Sequence, residues 1–202
     1  MQSSRILSLA VMLVVALAFA ARPAVAQSDP RAFMMDMGNH VLKIINDKAT
    51  PEAQRKQEFT QLVEGAFDMP KISQFVLGRY FRTASDQEKQ QFPKAFETYM
   101  VQVYWSRFTS YNGETFKVTD SKDEGNGTTV VTTEIQRGGG QPPVKVDWQL
   151  TKSGNSYKIR DASLEGVSQA LTYRDEFASI IERGGGKVSV LIDQLNNRAK
   201  GA

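Results

Sequence analysis

The chain has 202 residues, with 25 Lys and Arg against 22 Asp and Glu, a single histidine and no cysteine. These counts exclude disulfide scaffolds, thiol chemistry and zinc sites built on several His or Cys ligands. The basic residues are scattered rather than clustered, which disfavours a nucleic-acid partner.

The first segment has the layout of an export signal. Arg5 precedes an apolar run from Ile6 to Ala21, and Ala24-x-Ala26 follows as a cleavage site. The run falls short of the ~20 residues that cross a bilayer as a helix. Residues 1–26 are therefore expected to be a cleaved signal peptide, with an uncleaved anchor as the alternative. Residues 27–202 then make one domain, long enough for a sizeable core and a cavity. Without Arg5 and Arg22 the basic count falls from 25 to 23 against 22 acidic residues, so that domain is close to neutral. An exported chain without disulfides is stable on core packing alone, which suits a bacterial periplasm.

Helical signals come next. Ser28 or Asp29 caps a helix with Pro30 in its first turn, and Phe33, Met37, Val41, Ile44 and Ile45 follow at helical spacing. Thr50-Pro51-Glu52 starts a second helix carrying Phe59, Leu62, Val63 and Phe67. Asp68-Met69-Pro70 starts a short third with Ile72, Phe75, Val76 and Tyr80. Ser85 and Glu88 form a capping box ahead of a long fourth helix with Phe92, Phe96, Met100, Val103 and Tyr104 on one face. Pro93 in that helix predicts a late start or a kink.

From Thr115 the period shifts to two. "TFKVTDS", "GTTVVTTEIQ", "PVKVDWQL" and "SYKIRDAS" are parted by "EGNG", "RGGGQPP" and "KSGN", which predicts a four-stranded antiparallel meander. After Ser163 helical patterning returns. Leu171, Phe177, Ile180 and Ile181 precede Gly184-Gly185-Gly186, and Val188, Leu191, Ile192 and Leu195 follow. Helices, a curved sheet and helices again give an α+β domain.

Chemistry has few footholds here. His40 lies in the first helix with no nucleophile motif to serve, so a structural role is expected. "DSKDEGNG" lacks calcium-loop spacing and reads as a hairpin turn, and neither glycine triplet has the context of a phosphate loop. Asp161 and Glu165 remain as a candidate acid–base pair. The surrounding "DASLEGVSQALTYRDEF" is rich in turn and cap formers, and Arg174 is a ready neutralising partner. The expected role of Asp161 and Glu165 is to tie off the last strand, with Arg174 pairing back to one of them. The many aromatics, Phe108 and Tyr111 among them, serve either as core or as the lining of an apolar pocket between sheet and helices. Residue chemistry alone leaves both readings open.

Two blocks carry a family resemblance. "FDMPKISQFVLGRYFRTASDQEKQQFPKAFETYMVQVY" holds a Val-Leu-Gly-x-Tyr element and a Phe-x3-Phe helix at Phe92 and Phe96. "VKVDWQL" with "YKIRDASLEGVSQALTYRDEFASII" holds Asp-x-x-x-Glu-Gly-Val-Ser followed by Tyr-Arg-x-x-Phe. Together they resemble the MlaC family of periplasmic lipid carriers, the toluene-tolerance auxiliary proteins, and the wording of the second block also resembles its hopanoid-biosynthesis-associated branch. The resemblance implies a four-stranded antiparallel curved sheet of the NTF2 or cystatin kind, flanked by N- and C-terminal helices around an apolar pocket. It implies a non-enzymatic, monomeric, periplasmic shuttle without cofactor or metal. The cargo is phospholipid or, alternatively, hopanoid; a small-molecule enzyme of NTF2 type is the remoter reading. The implied partners are an inner-membrane ABC transporter or MCE-type complex and an outer-membrane lipoprotein complex. The expected pocket lining is Phe75, Val76, Tyr80, Phe96, Met100, Val103, Tyr104, Phe116, Trp148, Leu164, Val167, Leu171, Phe177 and Ile181, with a headgroup contact as the alternative to the structural role of Arg174.

Overall fold

A computed structural model describes residues 29–108, 113–137 and 140–201. The expected signal peptide, Tyr111, the side chain of Phe108 and the first two glycines of the Gly138–Gly140 triplet lie outside the described residues.

Five helices come first: α1 (Pro30–Asn46), α2 (Glu52–Ala66), α3 (Met69–Leu77), α4 (Tyr80–Thr83) and α5 (Asp86–Phe108). Their starts follow from local chemistry. The Asp29 carboxylate accepts from Arg31 N at 2.9 Å and Asp68 accepts from Lys71 N, each with a proline in the first turn. At α5 the capping box forms, with Ser85 N donating to Glu88 and Glu88 N donating to the Ser85 hydroxyl. The other Glu88 oxygen accepts from Ser189 N at 2.7 Å, so one carboxylate serves the first turns of two helices.

One sequence expectation is corrected and a second is narrowed. The third helix stops at Leu77, and Gly78 in a positive-φ conformation separates it from Tyr80, which opens the single-turn α4. The long helix begins at Asp86 with Pro93 inside it, which removes the late start from the two alternatives given for that proline.

Five strands form one antiparallel sheet in sequence order: β1 (Thr115–Gly125), β2 (Thr128–Gln136), β3 (Val144–Ser153), β4 (Ser156–Leu164) and β5 (Val167–Ser168). Four were expected. The fifth is a two-residue return of the chain after a tight turn, too short to leave an alternating pattern. Register shifts at Val118/Asp120, Asp123/Gly125 and Gln149/Leu150 mark the irregular points that add twist and bend. The pairings Phe116↔Ile135, Val131↔Trp148, Trp148↔Ala162 and Val146↔Leu164 set one apolar face. The chain closes with α6 (Gln169–Arg183) and α7 (Val188–Gly201), parted by the second glycine triplet as expected.

Apolar burial divides in space. A helical cluster joins Val76, Phe92, Phe96, Phe177, Ile181 and Leu191 from α3, α5, α6 and α7. A sheet-side cluster joins Met34 of α1 and Ala66 of α2 to Val131, Leu150, Tyr157 and Ile159. A smaller one sets Phe59 of α2 against Trp105 of α5. Gly38 contributes by absence: a Cβ there would lie 2.5 Å from the Phe116 ring, so only glycine lets that ring rest on α1.

Candidate functional site

The Asp161–Phe177 stretch is a joint between sheet and helix. Asp161 accepts from Ala162 N at 2.8 Å, from Ala170 N at 2.9 Å and from the Ser168 hydroxyl. It thereby holds the exposed N–H groups at the start of α6 against β4. Ser168 caps the same helix by accepting from Leu171 N. Glu165 and Gly166 have φ of 48° and 82°, both positive, and make the two-residue turn between β4 and β5. The Glu165 backbone N–H donates to Lys145 O, and its carboxylate accepts from Lys145 N at 2.7 Å, closing the end of β3.

Arg174 departs from its expected position. Among the described residues it forms a salt bridge with neither Asp161 nor Glu165, because its guanidinium is seated against Phe75 and Gly78. Its guanidinium lies over the Phe75 ring, 5.2 Å from the centroid, and a Cβ on Gly78 would come within 3.0 Å of its Nε. It lines a cleft of about 320 Å³ with Leu77, Gly78, Arg79, Tyr80, Asp175, Ala178 and Glu182. This cleft is where the Leu-Gly-x-Tyr element and the Tyr-Arg element, distant in sequence, meet.

The residues expected to line an apolar pocket fall into three groups. Val76, Phe96, Met100, Phe177 and Ile181 are buried in the helical cluster. Phe75, Val167 and Leu171 are exposed. Tyr80, Val103, Tyr104, Phe116, Trp148 and Leu164 are half-buried. In this last group, Phe116, Trp148 and Leu164 share the apolar face of the sheet by register, and Val103 and Tyr104 lie near the end of α5. The sheet is covered by α1, α2, α3 and α6, whereas α5 packs chiefly on α7, α2 and α3. The inner sheet face and the end of α5 are thus not closed by direct packing of one on the other.

Of the tyrosines at this boundary, Tyr104 was expected in the pocket lining and Tyr173 was not. Burial raises the hydroxyls of Tyr104 and Tyr173 above the usual tyrosine range. Tyr173 also packs edge-on to Phe96 at 5.2 Å and to Tyr99 at 6.4 Å, and the Arg107 guanidinium lies over the Tyr104 ring. The signal was available in the spacing: Tyr173 stands four residues before Phe177, on the same helical stripe. His40 is exposed on α1. Among the described residues no group of three or more His, Cys, Asp or Glu side chains could hold a metal ion, and no helix is long and apolar enough to cross a membrane.

Comparison with known families completes the picture. A family model described as MlaC protein matches residues 36–197, which include both motif blocks. The chain belongs to the MlaC family. It is 27% identical over 116 residues to the toluene tolerance protein ttg2D of Pseudomonas putida, a match covering 57% of this chain and 53% of that protein. The chain thus aligns with about half the length of that curated relative. Among solved structures it is similar to the phospholipid-binding protein from Ralstonia solanacearum, solved in complex with a phospholipid. The TM-score is 0.72 at 24% identity, covering 86% of this chain and 98% of that one. At that identity the likeness is one of fold, and it agrees with the α+β architecture expected of an MlaC protein.

Proposed function

We propose that this MlaC-family chain is a periplasmic phospholipid-binding protein that shuttles lipid between the inner and outer membranes without catalysing a reaction. The observation that carries the reading is a solved protein of the same fold, matched over nearly its whole length, that holds a phospholipid. Family membership over residues 36–197 supports it. The lipid tails lie between the apolar face of the sheet and the end of α5, against Val103, Tyr104, Phe116, Trp148 and Leu164.

The energetics suit transfer. Each methylene shielded from water is worth ~0.8 kcal/mol. A bilayer shields the same methylene equally well, so the net free energy of moving a tail between the two is small. Loading and release then need a dry groove and docking partners rather than a chemical step. The partners in this reading are an inner-membrane ABC transporter or MCE-type complex and an outer-membrane lipoprotein complex.

Native mass spectrometry of the protein produced with export to a periplasm tests this, followed by solvent extraction of what is bound. A stoichiometric phospholipid is the expected result. A stoichiometric hopanoid would keep the carrier and change the cargo. A protein that stays empty in a host rich in both lipids would overturn the reading.

A further inference from the structure

The cleft between the α3–α4 turn and α6 is a second feature, distinct from the apolar face of the sheet, and its charges are arranged unusually. Four charged side chains line it: Arg79 and Arg174, Asp175 and Glu182. Two of them are already matched. Arg79 pairs with Glu182, donates to the Tyr80 hydroxyl at 2.9 Å and stacks on the Tyr80 ring. The other two are not: among the described residues neither the Arg174 guanidinium nor the Asp175 carboxylate has a salt-bridge partner. Adjacent residues on a helix point about 100° apart, so Arg174 and Asp175 do not neutralise one another. The cleft therefore offers one open cation and one open anion around an apolar floor of Leu77 and Ala178.

The cation is seated against the protein although it is exposed to solvent. The Phe75 ring lies under one face of the guanidinium, and the bare Cα of Gly78, at φ 53°, leaves the space in which Nε sits. Any side chain at Gly78 would be strained by that φ and would displace the guanidinium. Arg174 thus presents its N–H fork towards the cleft from a fixed seat, the arrangement that suits bidentate binding of a phosphate or carboxylate.

We propose that this cleft binds a zwitterionic phosphoethanolamine headgroup, with its phosphodiester on Arg174 and its ammonium on Asp175. A simple anion is a poorer match, because it leaves the Asp175 carboxylate of the same cleft without a partner. A trimethylammonium headgroup is poorer too. It has no N–H to donate to a carboxylate, and the two aromatic rings that could receive it by cation–π contact, Phe75 and Tyr80, are already covered by Arg174 and Arg79. Phe75, at 40% exposure, and Leu171, one turn before Arg174 and 51% exposed, give the rim an apolar edge that meets the acyl side of such a lipid. The choice of a lipid headgroup over a free metabolite rests on the carrier reading above; the geometry of the cleft does not.

The test is a titration of the 15N-labelled, export-matured protein with three soluble probes: glycerophosphoethanolamine, glycerophosphocholine and glycerol 3-phosphate. The expected result is saturable shifts of the Gly78, Arg174 and Asp175 resonances, with glycerophosphoethanolamine binding roughly tenfold more tightly than either other probe. Arg174→Gln and Asp175→Asn should each abolish that preference, while Arg82→Gln, on the far end of α4, should leave it unchanged. All three sites are solvent-exposed, so folding, checked by circular dichroism, persists. Equal shifts for the three probes, or none at these residues, would overturn the proposal. Sedimentation with phosphatidylethanolamine or phosphatidylcholine vesicles then assigns the source. Preferential pelleting with the former places the headgroup in a membrane surface, and a soluble response without pelleting places it on bound or free lipid. If native mass spectrometry finds bound phospholipid but no probe distinguishes the cleft, this inference fails and the carrier reading stands. If the probes discriminate but no lipid is carried, the carrier reading fails instead.

Discussion

Phe92, Phe96 and Phe177 in the helical layer are fully buried and pack ring against ring, with Phe92 and Phe96 each edge-on to Phe177. Phe116, Trp148 and Leu164 on the sheet's inner face are just as apolar, yet they stay half-exposed. The difference lies in what faces them. Four helices pack against one another and consume each other's apolar stripes, while the helices laid on the sheet, α1, α2, α3 and α6, leave these three side chains only half covered. The helical layer is the part that holds the fold together. The sheet face is the part left with unspent apolar surface, which is what a carrier of lipid tails requires.

That contrast can be broken by truncation. Phe177→Ala removes a ring that touches Phe92, Phe96 and Tyr173, and should cost about 3–5 kcal/mol, read as a lowered urea midpoint at unchanged slope. A cost under about 1 kcal/mol would mean the helical layer is not the closed core described above. The joint between the layers comes next. Asp161→Ala strips three donors of their acceptor and should cost about 2 kcal/mol, with faster hydrogen exchange at Ala170 as the local sign.

Glu88→Ala should cost about 1 kcal/mol, since it uncaps α5 and releases Ser189 N. These hydrogen bonds hold the Glu88 carboxyl below the ordinary 4.5. The folded state thus binds its proton more weakly than the unfolded state does, so the contribution is present above pH 4.5 and is lost as the pH falls through the lowered value. Thermal melts of wild type and variant should therefore converge in acid.

On the sheet side the sharper experiment adds bulk. Val103→Trp, at a half-buried position near the end of α5 where the tails are proposed to lie, should shift stability by less than about 1 kcal/mol while reducing the bound lipid seen by native mass spectrometry. The same occupancy with an intact fold would move the cargo away from this end of α5. The smallest effect is at the junction of α2 and α5. Burial, with Glu64 close by, holds the Glu97 carboxyl above its ordinary 4.5. Here the folded state binds the proton more tightly, so the stabilisation is present below that value and is lost as the pH rises through the raised one. Glu97→Gln should flatten this decline and add roughly a few tenths of a kcal/mol at pH 7, measured by melts across the range.

The cap residues, the capping box at Ser85 and Glu88, the change of period at Thr115 and the glycine breaks fixed most element positions in advance. Each is local chemistry: a side chain satisfying a nearby N–H, or a backbone angle that one residue type allows. The partner of Arg174 was not legible, because it depends on the Phe75 ring and on a bare Cα at Gly78, nearly a hundred residues away. Nor was the division of the apolar residues. Phe96 and Trp148 are both large, aromatic and correctly phased, and nothing in their own neighbourhoods says that one is sealed among helices while the other stays half open.

By itself, then, the sequence determined the α+β class, the element order and the family, since patterning, caps and motif wording are properties of short stretches. Tertiary structure alone decided which apolar face stays uncovered and which charges in the α3–α6 cleft stay unpaired. Both depend on how much surface neighbouring elements bury, and that is settled only when distant segments pack.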